Sequence, residues 1–170
     1  TEQYRCYDLK SASFVDFTGS GESADKYSSR IFTTNGDVWF WHNNNGARRV
    51  IYENNTFRSI PYKFRLGNIP SNTVNFVGEG LDGIIWIGTA QGLVQVMGNE
   101  HTLINQSESF YQMAIYNGST YFCTTDGKIF IFDKSSSRLV QQTRFNATGV
   151  SITGQIVLDN EWIIFTRGGI

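Results

Sequence analysis

Asp82-Gly83-Ile84-Ile85-Trp86-Ile87-Gly88-Thr89-Ala90-Gln91-Gly92-Leu93-Val94-Gln95-Val96 reads as turn, strand, turn, strand. Asp82-Gly83 is a two-residue hairpin signal, because both positions tolerate the positive φ that a primed turn needs. Ile84 to Thr89 is β-branched and aromatic, which suits a strand, and Gly92 closes a second tight turn. The chain repeats this pattern imperfectly, so one supersecondary unit decides the architecture.

Working outward, Ser29 to Thr33, Val38 to His42, Ala47 to Tyr52 and Thr56 to Ile60 form four short strands. Their turns are Asn35-Gly36-Asp37, Asn43 to Gly46 and Asn54-Asn55. A longer connection, Tyr62 to Asn72, leads to a second unit of Thr73 to Val77, the two central strands and Glu100 to Ile104. The third unit runs Phe110 to Ile115, Thr120 to Thr124, Lys128 to Phe132 and Leu139 to Phe145, turning at Asn117-Gly118 and Asp126-Gly127. A fourth begins near Val150 and turns at Asp159-Asn160 into Glu161 to Phe165. Before the first unit lie two further strands, Tyr4 to Leu9 and Ser13 to Phe17, and a loop at Gly19 to Asp25.

Aligned on the central ring, Trp39, Trp86, Tyr121 and Trp162 share one position, spaced by 47, 35 and 41 residues. A period of roughly 40 is that of four-stranded propeller blades. A glycine six residues beyond the ring recurs at Gly92, Gly127 and Gly168, and comes one later at Gly46. Helical periodicity is absent. The expected fold is all-β: a β-propeller of four-stranded antiparallel blades forming a partial ring of about four blade-equivalents. It is a single region over 1–170, divided into a half blade (1–18), three blades (27–60, 73–104 and 110–145) and a second half blade (150–170).

Composition agrees. At 170 residues the chain is one domain in size, 15% aromatic and 17% charged, against about 25% charged for an average soluble domain. Net charge is −1 with no block of like charge, which argues against nucleic acid as a partner. No run of about 18 apolar residues is present, so no membrane contact by this segment is expected. Cys6 and Cys123 belong to no metal-ligand spacing and read as small buried hydrophobes, with a disulfide between them as the alternative. No metal and no cofactor is expected. The chain begins at Thr1, as a mature product or an excised piece would. Sequons at Asn54, Asn105, Asn117 and Asn146 say little in so asparagine-rich a sequence.

Residues Asp82 to Leu93 resemble the two-component regulator propeller repeat, whose pattern is Asp-Gly-x-ϕ-Trp-ϕ-Gly-Thr-x-x-Gly-ϕ, with ϕ apolar. Ile69-Pro70-Ser71-Asn72-Thr73-Val74 resembles the segment that usually precedes it. The other units are degenerate: Trp41, Cys123 and Ile164 replace the glycine, and His42 and Phe165 the threonine that Thr124 keeps. The resemblance implies the periplasmic or extracytoplasmic sensor region of Bacteroidetes-type hybrid two-component histidine kinases, detecting glycan fragments without catalysis. Such rings have about seven blades. This chain therefore reads as a fragment, a small ring closed by its two half blades, or one of two copies closing a ring of about eight.

In a propeller the turn between strands two and three and the connection to the next blade open on one face, where ligands sit. Trp41, His42, Asn43, Asn44 and Asn45 would offer a ring plane beside amide groups, chemistry suited to an oligosaccharide. The competing reading packs Trp41 between blades and leaves the asparagines as a turn. Arg65 and Asn68 lie in the connection on that face, with Gln91, Asp126 and Arg167 at the other turns. Arg167 has the guanidinium to hold an acidic sugar, or is a solvated surface arginine. His42 and His101 have no carboxylate or serine at informative spacing, and no nucleophile elbow or phosphate loop is present. A sensor module is the first reading; a protein-interaction scaffold and a glycan lyase or hydrolase are the alternatives.

Overall fold

A computed structural model describes residues 5–8, 13–16, 28–54, 56–142, 151–158 and 161–167. The loop expected at 19–25, the turn at Asp159-Asn160, Gly168 and the Asn146 sequon lie outside these residues, as does the side chain of Cys6.

The described strands form five antiparallel sheets, each built from strands consecutive in sequence. β1 (Arg5–Asp8) pairs with β2 (Ser13–Asp16). The first four-stranded sheet is β3 (Ser29–Phe32), β4 (Val38–His42), β5 (Gly46–Glu53) and β6 (Thr56–Tyr62). The second is β7 (Val74–Glu79), β8 (Ile85–Thr89), β9 (Gly92–Met97) and β10 (Glu100–Asn105). The third is β11 (Phe110–Tyr116), β12 (Ser119–Thr124), β13 (Ile129–Asp133) and β14 (Arg138–Gln141). β15 (Ser151–Leu158) pairs with β16 (Glu161–Arg167).

First strands of successive sheets lie against one another: β7 against β3 and β4, β11 against β7 and β8, and β15 against β11. Sheets therefore stack face to face around a shared inner side, which is the packing of propeller blades. We refer to the three four-stranded sheets as blades 1 to 3.

Strand alternation sends successive side chains to opposite seams. In β8, Ile85 and Ile87 join Trp39, Ala47 and Tyr62 of blade 1, whereas Trp86 joins Phe110, Phe122, Phe130 and Phe132 of blade 3. Tyr121 and Cys123 of β12 face the β15–β16 hairpin, against Ile152, Trp162 and Ile164. The core is thus a series of inter-blade seams. Thr89, beside Gly88 in the repeat, is fully buried because its hydroxyl closes the two-residue turn, donating to the Gly92 carbonyl at 3.0 Å and accepting from Gln91 N–H at 3.2 Å.

Two details differ from the sequence reading. Asp82-Gly83 has the expected positive φ values of 61° and 70°, yet it is not a two-residue hairpin loop. It sits in a 3-10 turn over Leu81–Gly83, with Gly80 and Ile84 joined by a 2.6 Å hydrogen bond. The extra residues carry the chain around the large Trp86 side chain that packs beside Gly80.

The second difference is register. A β-bulge falls opposite Gly88/Thr89 in blade 2, Cys123/Thr124 in blade 3 and Phe165/Thr166 in the β15–β16 hairpin. Counting from the bulge, Ile163 and not Trp162 holds the position of Trp86 and Tyr121, and Thr166 holds that of the threonine. Trp162 turns back onto blade 3, its centroid 5.0 Å from that of Tyr121, with its Nε1–H donating to Gln155 at 3.1 Å. The opposite face of the hairpin leaves Ile156, Leu158, Ile163 and Phe165 exposed among the described residues. In each preceding blade the next sheet covers this face.

Cys123 is a free, buried thiol, as a small hydrophobe would be, and burial pushes its pKa up to about 12. At pH 8 its thiolate fraction is then ~10⁻⁴, too little for ready nucleophilic attack. Peptide mapping after iodoacetamide treatment is expected to find Cys123 unmodified in folded protein and fully modified in urea. Comparable labelling in both would show that this seam is open.

Candidate functional site

The turns β4–β5, β8–β9 and β12–β13 and the connections between blades share one end of the molecule, tied by backbone hydrogen bonds. Gly46 N–H donates to Asn72 O at 2.9 Å, Ala90 N–H to Thr73 O at 2.9 Å and Thr125 N–H to Ser109 O at 3.0 Å. At this end a cleft of about 440 Å³ opens between the connection that joins blade 1 to blade 2 and the outer edge of blade 2. That volume is within the ~300–1,000 Å³ typical of small-molecule sites.

The blade 1 to blade 2 connection forms one wall. Lys63 to Asn72 makes a 3-10 turn at Phe64–Leu66, ended by left-handed Gly67, whose N–H donates to Phe64 O at 2.9 Å. Asn68 locks the turn from inside: its Oδ1 accepts from Lys63 N–H at 2.8 Å and its Nδ2 donates to Pro61 O at 3.0 Å. The Phe64 N–H donates to Asn72 Oδ1 at 2.9 Å. Buried Lys63 reaches across to Asn45, its ammonium donating to the Asn45 carbonyl and, at 2.8 Å, to Oδ1. These bonds fix a loop whose Phe64 ring is nonetheless 61% exposed.

Blade 2 forms the facing wall. His101 and Leu103 are cross-strand partners of Val96 and Val94, which pack toward blade 1, so both point into the seam at its outer edge. Gln91 in the β8–β9 turn and Gln106-Ser107 beyond β10 complete the lining with Ile69 and Pro70. Among the described residues no carboxylate, lysine or arginine lines the cleft.

Of the residues singled out from sequence, Asn68 and Gln91 line this cleft. Trp41 is half-buried and packs against the blade 1–blade 2 core. His42 Nδ1 accepts from Asn44 N–H at 3.2 Å within the turn, and Asn43 and Asn44 are exposed. Asn45 is committed to Lys63, and its Nδ2 is buried without a partner among the described residues. Arg65 is exposed in the turn beside Phe64, and Arg167 is exposed at the end of β16. Asp126 belongs to another turn. Burial works to raise its pKa, but hydrogen bonds from Thr124 and Lys128 outweigh this and hold it low.

Phe64, His101, Leu103, Gln106 and Ser107 were not among the sequence candidates. The pattern holds a signal for two of them: His101 and Leu103 are two apart on an edge strand, and so share a face. Nothing linear brings that face to Phe64. Among the described residues no cluster of three or more His, Cys, Asp or Glu side chains could hold a metal ion.

No protein-family model and no curated protein matches the sequence. Solved structures do match in fold. The extracellular domain of BT3049 from B. thetaiotaomicron, described as a hybrid two-component system, superposes with a TM-score of 0.65 at 19% identity, over 97% of this chain and 23% of that one. The extracellular domain of BT4673 from the same organism, also described as a hybrid two-component system, gives 0.60 at 18% identity, over 81% and 19%. PorZ, a surface component of the type-IX secretion system of Porphyromonas gingivalis, gives 0.55 at 14%, over 88% and 26%. The chain thus spans about a fifth to a quarter of the length of these proteins.

Proposed function

We propose that this propeller segment is a non-catalytic, ligand-reading part of an extracytoplasmic receptor in two-component signalling, and that its ligand is a glycan fragment. One observation carries the reading. A cleft on the connection face presents an exposed ring, two amides and an imidazole, with no carboxylate beside them. Glycoside hydrolysis generally uses a pair of carboxyl groups flanking the scissile bond, and this cleft offers none. Binding needs only shape, an apolar surface and hydrogen-bond groups, all of which are present. The fold shared with extracellular domains of proteins described as hybrid two-component systems supports the setting, although a fold by itself hosts many functions.

The test is titration calorimetry of the purified chain against a panel of neutral and acidic oligosaccharides, with a reducing-end assay on the same mixtures. Saturable binding without release of new reducing ends is the expected result. Turnover would make the chain a glycan lyase or hydrolase, and silence across the panel would favour the interaction-scaffold reading.

A further inference from the structure

We infer that the glycan site is the seam between blade 1 and blade 2, that Phe64 is its stacking platform, and that the ligand read there is uncharged. The inference rests on the glycan-binding reading above and assigns it a place and a class.

The loop that carries Phe64 is held in one conformation. Hydrogen bonds hold the Lys63 to Asn72 segment along its length, among them those of Asn68 with Lys63 and Pro61, of Phe64 with Asn72, of Leu66 with Lys63, of Gly67 with Phe64, of Gly46 with Asn72, and two from the Lys63 ammonium to Asn45. A segment so fixed keeps its Phe64 ring in water, forgoing the stabilisation that burial would bring. A rigid, exposed ring is the form in which an aromatic side chain binds at little entropic cost. Asn45 and Asn68 therefore act as positioning residues for Phe64.

The cleft also holds unspent hydrogen-bonding capacity. Asn68 spends both ends of its amide on the loop, whereas the side chains of Gln91, His101 and Gln106 line the cleft with no partner among the described residues. Two amides and an imidazole offer donors and acceptors together, which matches hydroxyl groups that also do both. Ile69, Pro70 and Leu103 supply an apolar floor. A sugar ring has this same division, an apolar C–H face and a rim of hydroxyls.

Charge sets the class of ligand. A uronate or sulfated sugar is ordinarily met by arginine or lysine, and among the described residues neither lines the cleft. The sequence candidate for that task, Arg167, stands at the end of β16 and does not line it.

The experiment is calorimetry with neutral and uronate-containing oligosaccharides on the wild-type chain and on Phe64→Ala, Gln106→Ala and Asn44→Ala, with thermal melts as the folding control. Phe64 and Gln106 are exposed, so these variants are expected to melt like wild type. Neutral oligosaccharides should bind, with affinity falling at least ~10-fold in Phe64→Ala and about fivefold in Gln106→Ala, and unchanged in Asn44→Ala. Preference for the uronate series, or loss in Asn44→Ala with Phe64→Ala binding like wild type, would overturn the inference and leave the glycan reading standing. Absence of binding by either series to wild type would overturn both.

Discussion

Replacing Trp86 with alanine is expected to lower the unfolding free energy by about 3–5 kcal/mol, a large share of the ~5–15 kcal/mol of a typical domain. Trp86 is 1% exposed and is wedged into the seam between blade 2 and blade 3. Its ring meets Phe122 edge-on at a centroid distance of 4.7 Å and Phe132 at 4.8 Å. Both geometries suit aromatic quadrupoles, so truncation removes specific contacts as well as buried area. The backbone is shaped to the indole: a Cβ on Gly80 would lie 2.7 Å from Nε1, so the cavity left by alanine is walled by main chain that has little room to collapse. Trp86→Phe is the informative partner. The indole Nε1 is buried without a hydrogen-bond partner among the described residues, so the smaller ring loses area but also removes an unmatched N–H. We expect it to cost less than about 1.5 kcal/mol. Urea unfolding followed by far-ultraviolet circular dichroism measures both. A loss under ~1 kcal/mol for Trp86→Ala would mean that this seam is not packed as described.

How this architecture can be read from the sequence follows from the same residue. Trp86 stands in a repeat whose turns are marked by Asp82-Gly83 and Gly92, and whose strands alternate between two seams; periodicity and turn chemistry are local, so they survive in the linear text. What misleads is the assumption that a ring must mark the same register in every copy. Trp162 is near the aligned position but turns toward blade 3, and only the bulge opposite Phe165/Thr166 places Ile163 as the equivalent. A bulge adds one residue without a compositional signature, and a one-residue slip exchanges the two faces. The candidate site shows a sharper limit. Asn45 and Asn68 look like ligand-binding amides in sequence, yet their hydrogen bonds are spent on holding the loop that presents Phe64. Whether an amide is free or committed depends on partners up to 18 residues away. The cleft itself joins a connection to an edge strand more than 30 residues downstream, a juxtaposition made by blade packing and invisible to any local pattern.

Asp37→Ala is expected to cost a further, separate ~3–5 kcal/mol, through a charge left without its partner. Asp37 and Arg49 are 5% and 8% exposed. The Asp37 Oδ2 accepts from Arg49 Nε at 2.6 Å and lies 2.6 Å from Nη2, and also accepts from Asn35 Nδ2 at 3.2 Å. Arg49 then reaches out of its own blade, donating through Nη1 to the Gly98 carbonyl in the β9–β10 turn, with its guanidinium 6.0 Å from the Trp39 ring centroid. The pair therefore ties blade 1 to blade 2 at the end opposite the cleft. Taking two ions out of water offsets much of their attraction, so the intact pair contributes little net stability relative to apolar residues. Removing one member is different, because the guanidinium stays buried with only neutral groups to meet it, the Gly98 carbonyl, the Asn99 amide oxygen and the Tyr62 hydroxyl. The burial of both ions sets the sign of a double-mutant cycle. Asp37→Ala and Arg49→Met should each destabilise strongly, while the double variant should cost less than their sum by roughly 2 kcal/mol or more. Additive losses in urea unfolding would show that the two side chains do not act as a pair. The cycle also bears on the cleft, since one of its walls is the connection leading out of blade 1 and the other is blade 2. If Arg49 fixes their spacing, Arg49→Met should weaken neutral-oligosaccharide binding although the residue touches no part of the cleft, and it should do so while the chain is still folded.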